Sequence, residues 1–401
     1  MTELSLGAWT REIHQPTPRS VAADFGVFCG VFGHRWVDNA IESVERQSGP
    51  AFRCVFAING FDNQALTRLL AYQERSRHEV WIAVNSTNMG PLGSLYRNQD
   101  LLNTSWTALF HQDDVYLTNH IAVLRDMATR CGPTTVGLFT ALGGVSEDGT
   151  REMAPPPIRN SHLKDANSVV LVPEIIARHP FPTPAFALRS DAHIGGMAWY
   201  DSGAPDSEWF CRLACIGRLE ATDQVTVLYR QPESSESTLT TTETRIWLWA
   251  QSINRIVFSP EFRSLLLSID PEERDHLAER ILEAIPARYP GSPIFQFVQF
   301  AAAQEMLTAW DYQSGPCRDL VYATLNVWGP SGAVRSLEAL GSEGTAAASA
   351  LGLSGLVGRP TKAPWWEQRG RQAYRKHAHR LPEGVRDWAV DVYRRYARSA
   401  T

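Results

Sequence analysis

The chain has 401 residues, 44% hydrophobic and 20% charged, with a formal net charge of −5. That length implies two or three structural units with ample core, and the composition is that of an ordinary globular protein. The acidic balance argues against a general nucleic-acid binder, which would be basic overall.

The predicted elements begin with the apolar run Phe25 to Phe32, which reads as a strand. Trp36, Val37, Ala40, Ile41 and Val44 then recur at helical spacing. Phe52 to Ile58 predicts a second strand, closed by the turn signal Asn59-Gly60. Leu66, Leu69 and Leu70 mark a second helix, and Val80 to Val84 a third strand, followed by Asn88-Met89-Gly90-Pro91. Leu92, Leu95 and Tyr96 start a third helix; Trp106 to Phe110 predicts a fourth strand and Val136 to Ala141 a fifth. Such alternation specifies a mostly parallel sheet covered on both faces, with ligands bound beyond the carboxyl ends of its strands. Residues 143–184, with Gly143-Gly144, Pro155-Pro156-Pro157 and a proline-rich stretch at 180–184, read as a long loop. Arg189 to Met197 reads as a turn and short helix, Asp206 to Gly217 as a helix stopped by Gly217, and Val225 to Tyr229 as a strand.

From about Thr240 the pattern is helical. Ile246 to Ile256, Leu265 to Ile285, Phe295 to Trp310 and Leu320 to Trp328 predict helices, and Gly329 to Gly358 a linker or loosely packed helix. Lys362 to Arg398 holds ten Lys/Arg and four Asp/Glu, interleaved with Trp365, Trp366, Tyr374, Trp388, Tyr393 and Tyr396. A solvated charged face over an aromatic core is the favoured reading there; a partner surface or a peripheral membrane contact is the other.

The cysteines (Cys29, Cys54, Cys131, Cys211, Cys215 and Cys317) lie in apolar segments without a C-x-x-C pair, which suits buried reduced thiols. Cys211 and Cys215 are spaced to share a helix face, more often a packing arrangement than a metal site. The sequence shows no apolar leader and no run of about 18 apolar residues, so a cytoplasmic chain without a transmembrane segment is expected.

His111-Gln112-Asp113-Asp114 carries the most chemistry. Two adjacent carboxylates at the end of a buried strand are expensive unless something offsets their charge. A divalent cation would do so, because Mg²⁺ and Mn²⁺ prefer carboxylate oxygens. The alternative is that Asp113 and Asp114 cap a helix starting near Leu117.

Four stretches in order resemble the family 2 inverting glycosyltransferases: Gly33 to Gln47 (GHRWVDNAIESVERQ), Asn88 to Asn103 (NMGPLGSLYRNQDLLN), Ser105 to Tyr116 (SWTALFHQDDVY), and Asp206 to Gly217 (DSEWFCRLACIG) followed by Tyr229-Arg230. The resemblance implies a GT-A-like α/β fold: a mostly parallel twisted sheet with flanking helices in a catalytic domain over 1–235, then a helical C-terminal region over 236–401. It implies transfer of a sugar, with inversion, from a nucleotide-diphosphate sugar donor to a hydroxyl or amine of a small-molecule or glycan acceptor. Mn²⁺ or Mg²⁺ would be held by Asp113 with Asp114 and His111 assisting. Asn59, Asp62, Asn88, Arg97, Asp113 and Arg230 are the expected nucleotide-sugar contacts. Asp206 aligns with the family's general base, with Glu208 as the backup and Arg212 a structural residue.

The chain departs from the family pattern. His111 stands at the first position of the Asp-x-Asp motif, although histidine also ligates Mn²⁺. Asn59 stands where the family carries a base-recognising Asp, with Asp62 the nearest carboxylate. Two other classes stay open. One is a zinc-dependent deacetylase using His-x-Asp-Asp, although no His-x-x-His pair follows. The other is a sugar-nucleotide-fold protein that binds without transferring. A serine-hydrolase elbow and a G-x-G-x-x-G fingerprint are both missing from the text. The C-terminal region either shapes the acceptor site or forms a homodimer.

Overall fold

A computed structural model of the protein describes residues 10–88, 90–153, 167–178, 181, 183–192, 205–231, 249, 252–253, 255–257, 259–288, 298–299 and 302. The chain divides into two compact units that interleave along the sequence. The first comprises Met1–Ser168, Pro180–Tyr200 and Ile216–Leu239; the second comprises Val169–His179, Asp201–Cys215 and Thr240–Thr401. The stretches 169–179 and 201–215 thus group with the residues after 240, whereas the expected domains followed the chain linearly across 235.

The first unit is built on a mixed sheet whose ten described strands are β1 (Arg11–His14), β2 (Ala22–Val31), β3 (Phe52–Asn59), β4 (Glu79–Asn85), β5 (Trp106–His111), β6 (Val115–Tyr116), β7 (Thr135–Ser146), β8 (Glu152–Met153), β9 (Phe186–Arg189) and β10 (Arg218–Gln231). Their order is β1-β4-β3-β2-β5-β9-β7-β10-β6, with β8 beside β7. The block β4-β3-β2-β5 is parallel, as is the β7–β10 pair, whereas β1, β6, β8 and β9 run antiparallel to their neighbours. The expected α/β class and the predominance of one strand direction are therefore observed.

Strand periodicity assigns the faces. Phe25, Val27, Cys29 and Val31 of β2, Phe52, Cys54, Phe56 and Ile58 of β3, and Val80, Ile82 and Val84 of β4 join one core. Three helices cover it: α1 (Val37–Glu45) through Val37, Ala40, Ile41 and Val44, α2 (Asn63–Arg75) through Ala65, Leu69 and Tyr72, and α4 (His120–Arg130) through Ile121, Leu124 and Met127. The helix α3 (Gly90–Asn98) takes the other face, where Asn85 Nδ2 donates to Ser94 Oγ at 3.2 Å.

The structure departs from the sequence reading in three places. Gly143 and Gly144 lie inside β7 rather than in a loop, because a Cβ on Gly143 would sit 2.7 Å from Leu228 Cδ2 of β10. The glycine lets two strands approach and does not break one. Gly217 follows α6 (Pro205–Ile216) as expected, yet it is absent from the residues with positive φ. Its missing side chain instead admits Val136 and the Thr134 carbonyl, 2.4 and 2.6 Å from a built Cβ. Residues 168–178 form the helix α5 (Ser168–Arg178) within the segment read as loop, and 186–189 form β9, a strand the sequence reading does not assign.

In the second unit the predicted helix Leu265 to Ile285 is two helices, α7 (Pro260–Ser268) and α8 (Pro271–Ala287). Pro271 has no N–H to continue α7, and Asp270 caps α8 by accepting from Glu273 N at 2.9 Å. Among the described residues no helix is long and apolar enough to cross a membrane. The Pro155-Pro156-Pro157 run, Cys317, the Leu320 to Trp328 helix, Gly329 to Gly358 and the basic aromatic segment from Lys362 lie outside the described residues. The remaining cysteines are all free thiols.

Two buried histidines make the first unit acid-sensitive. His120 Nδ1 donates to Thr226 Oγ1 (2.7 Å), which donates onward to Thr140 Oγ1 (2.7 Å) and so links α4 to β10 and β7. Burial depresses its pKa to about 3. His78 accepts from Phe52 N at 3.3 Å, and burial, reinforced by Arg77, lowers it to about 4. Both are neutral in the fold and protonate near 6.5 when unfolded. Their stabilisation is thus complete above pH 6.5 and lost as pH falls toward 4 and 3. Urea denaturation should show stability falling by a few kcal/mol between pH 7 and pH 4. His120→Gln should flatten that slope whatever it does to stability at pH 7; an unchanged slope would refute the assignment.

Candidate functional site

The site is built where the parallel block ends. Register pairs Val31 with Ile58, Asn59 with Asn85, and Gly30 with His111, so the last residues of β2, β3, β4 and β5 lie along one edge. Beyond β5 the chain turns tightly, with Asp114 N donating to His111 O at 3.3 Å, and returns as β6 beside β10. This short strand separates the acidic pair from α4, whose N-cap is Asn119. Asp113 and Asp114 are therefore not caps of that helix.

The turn presents His111, Asp113 and Asp114 together, one ligand atom from each lying within 4.8 Å of the others. Asp114 is buried; its Oδ1 accepts from Arg230 N at 2.9 Å, while its Oδ2 has no hydrogen-bond partner. That orphaned oxygen lies 3.8 Å from His111 Nδ1. Burial drives the Asp114 carboxyl well above the usual carboxylate range, and the neighbouring Asp113 adds to it; Arg230 pulls the other way. One imidazole and two carboxylates, with a buried oxygen unsatisfied, suit a hard divalent cation such as Mn²⁺ or Mg²⁺. Among the described residues no second histidine joins the group, so the donor set lacks what the deacetylase reading requires.

Arg230 holds the turn in shape. Its Nε donates to Asp113 O at 2.5 Å, one terminal nitrogen to the Ser146 and Glu147 carbonyls, and the other to Asn39 Oδ1 at 3.0 Å. The guanidinium also lies over the Trp36 ring, 4.4 Å from its centroid. Asn39 completes the frame by donating to Gln112 O (2.9 Å) and Asp114 O (2.8 Å). Gln112 Nε2 in turn donates to Phe32 O at 2.8 Å. Arg230, expected to contact the nucleotide sugar, is thus engaged by the protein itself. Trp36 and Asn39 were missed as site residues because helical spacing reads them only as the start of α1. Glu147 lay in a stretch read as loop.

The remaining expected contacts occupy neighbouring positions along the edge. Asn59 ends β3, where its Oδ1 accepts from Asn85 Nδ2 (3.3 Å) and its Nδ2 is buried without a partner. Asn85 also accepts from Asn98 Nδ2 (3.3 Å), so Asn59 belongs to a buried amide network anchoring α3. Asp62 caps α2 by accepting from Gln64 N and Ala65 N, both at 2.9 Å, and faces His34 Nδ1 at 3.0 Å. The Ala65 N–H and His34 lower its pKa. Asn88 accepts from Gly90 N at 2.9 Å at the entry to α3. Arg97 is exposed in the last turn of α3, its carbonyl accepting from Arg11 at 2.6 Å.

Asp206 and Glu208 belong to the second unit, in the first turn of α6. Asp206 is half-buried. Glu208 is buried beside Arg212 (3.4 Å) and Arg255 (3.6 Å), and Arg212 also pairs with Glu261 at 2.9 Å. Burial raises the Glu208 pKa and the two arginines counter it. Glu208 and Arg212 thus form a buried ion cluster tying α6 to α7.

No protein-family model matches the chain, and no curated protein matches it. Among solved structures it is similar to S. aureus TarS. Residues 1–349 of that protein, also solved with UDP-GlcNAc and with UDP, superpose with a TM-score of 0.43 and 12% identity, over 79% of this chain and 91% of that one. A longer TarS structure gives the same TM-score and identity over 71% of this chain and 53% of that one.

The turn yields two opposed expectations. Arg230→Met should destabilise the protein by about 2–4 kcal/mol, because it strips the donors from part-buried carbonyls and leaves buried Asp114 without its neighbouring cation. Asp114→Asn should instead stabilise the metal-free protein by about 1 kcal/mol, because it removes a desolvated charge beside Asp113. Urea titration of both variants in the presence of a chelator checks the pair. Destabilisation by Asp114→Asn would mean that the carboxylate is satisfied as it stands.

Proposed function

We propose that the protein is an inverting glycosyltransferase of GT-A type that uses a nucleotide-diphosphate sugar and a divalent cation. The observation that carries this reading is the His111–Asp113–Asp114 group at the carboxyl end of the parallel block, with its buried, unpartnered oxygen. Ligand sites of open α/β sheets lie at such strand ends. Even with Arg230 alongside, Asp114 Oδ2 is buried without a hydrogen-bond donor, and a bound cation would satisfy it. The four sequence stretches that resemble family 2 enzymes fall on this edge and on α6.

In this reading Asp113, Asp114 and His111 hold Mn²⁺ or Mg²⁺. When bound, the cation supplies positive charge to the departing nucleoside diphosphate. Arg230 and Asn39 keep the turn in its ligating shape, so no reorganisation is needed when the donor arrives. Asp206 takes the acceptor's proton as general base. Glu208, buried in its ion cluster, is not suited to that task. Asn59, Asp62 and Asn88 border the site as candidate contacts to the nucleoside, with their hydrogen bonds inside the protein setting which atoms remain for a ligand. Arg97 remains a candidate phosphate contact.

Thermal melting against UDP, dTDP, GDP and CDP, each with Mn²⁺, Mg²⁺ or chelator, tests the reading. Binding to the native state should raise the midpoint by a few degrees with one nucleotide and only with metal. Asp113→Asn should abolish the metal-dependent shift. Asp206→Asn should keep the shift and lose transfer. Full turnover by Asp206→Asn would sink the base assignment, and a response to Zn²⁺ alone would favour a deacetylase.

A further inference from the structure

We propose that Arg35 is a phosphate-binding residue of this site, held in reserve by Glu147 until an anionic ligand replaces that carboxylate. The inference rests on the nucleotide-diphosphate reading for its biological ligand, but not for its chemistry.

Arg35 lies in the loop between β2 and α1, at the same sheet edge as the acidic turn. That loop is tied to the turn through Gln112 Nε2 and Phe32 O. The Arg35 guanidinium lies 4.6 Å from the Trp36 ring centroid, and Arg230 lies 4.4 Å from the same centroid. One indole therefore carries two cations, and the second of them touches the Asp113 carbonyl.

The two arginines differ in what they are free to do. Arg230 is 4% exposed and spends its donors on carbonyls and Asn39. It cannot turn to a ligand without dismantling the turn. Arg35 is 59% exposed and pairs with the Glu147 carboxylate, itself 34% exposed. An exposed pair of this kind contributes little to stability. A phosphate offers more charge and a matching pair of oxygens, and guanidinium stacked on an indole keeps its N–H edge free for them. The exchange leaves Trp36 in place, since the ring is also covered by Arg230. It also leaves the Glu147 carbonyl on Arg230, because only the side chain lets go.

The motif gave no hint of this residue. No role for Arg35 is read from the sequence, and only the fold sets it beside Glu147.

Isothermal titration with inorganic pyrophosphate in the presence of Mg²⁺ tests the assignment on the native chain, Arg35→Gln, Arg35→Lys and Glu147→Gln. Arg35→Gln should weaken binding about tenfold or more, with Arg35→Lys between it and the native chain. Glu147→Gln should tighten binding several-fold, because it removes the carboxylate that competes with pyrophosphate for the guanidinium. Equal binding by Arg35→Gln, no gain in Glu147→Gln, or no pyrophosphate binding by the native chain overturns the proposal. Arg35-dependent binding of pyrophosphate without binding of any nucleoside diphosphate would uphold Arg35 and remove the nucleotide-sugar reading.

Discussion

Two carboxylates at the mouth of a buried strand must be held against their own repulsion, and Arg230 is what holds them. Its guanidinium reaches the Asp113 carbonyl, the β7 end and Asn39, and its backbone N–H reaches Asp114. The strand β10 brings Arg230 there through parallel pairing with β7, in which Arg230 faces Val145. Arg230, with Asn39 and Gln112, therefore ties the β2–α1 loop, the acidic turn and the end of β7 together. Desolvation lowers the Arg230 pKa, and the two aspartates partly offset it. The cluster is balanced only as a whole, as a desolvated ion group must be.

Around that centre the protein separates rigid parts from exchangeable ones. The amides of Asn59, Asn85 and Asn98 are buried and bonded to one another, which ties β3, β4 and α3 at the edge. Tyr116 stacks on Phe110 with ring centroids 3.6 Å apart and donates to the Leu109 carbonyl, bracing the turn from beneath. More exposed ion pairs lie on the rim: Arg35 with Glu147, and His34 with Asp62. The edge thus has a hydrogen-bonded floor and a charged border.

The second unit follows a different logic. The Glu208–Arg212–Glu261 cluster is buried and internally paired, and it joins α6 to α7. The cost of desolvating such a cluster offsets much of the attraction within it. Asp206, two residues earlier on α6, is half-buried where Glu208 is buried.

Much of the fold was legible in the chain because its cause is local. Apolar runs bounded by turn signals located β2, β3, β4 and β5, and helical spacing located α1, α2 and α3, since both follow from side-chain periodicity alone. The His111–Asp114 motif was legible because the cost of burying adjacent carboxylates can be read from the text. What only the tertiary structure decided depends on distant partners. Gly143 and Gly144 spell a loop until β10 is placed against them, and β9 is too short to announce itself without β5 and β7 on either side. Arg230 spells a ligand contact, and only the fold shows the carbonyls of residues 113, 146 and 147 converging on it; Glu208 spells a base, and only the fold shows Arg212 and Arg255 beside it. Periodicity records which face of an element is buried; it carries no record of which residues, a hundred positions away, will share a charge.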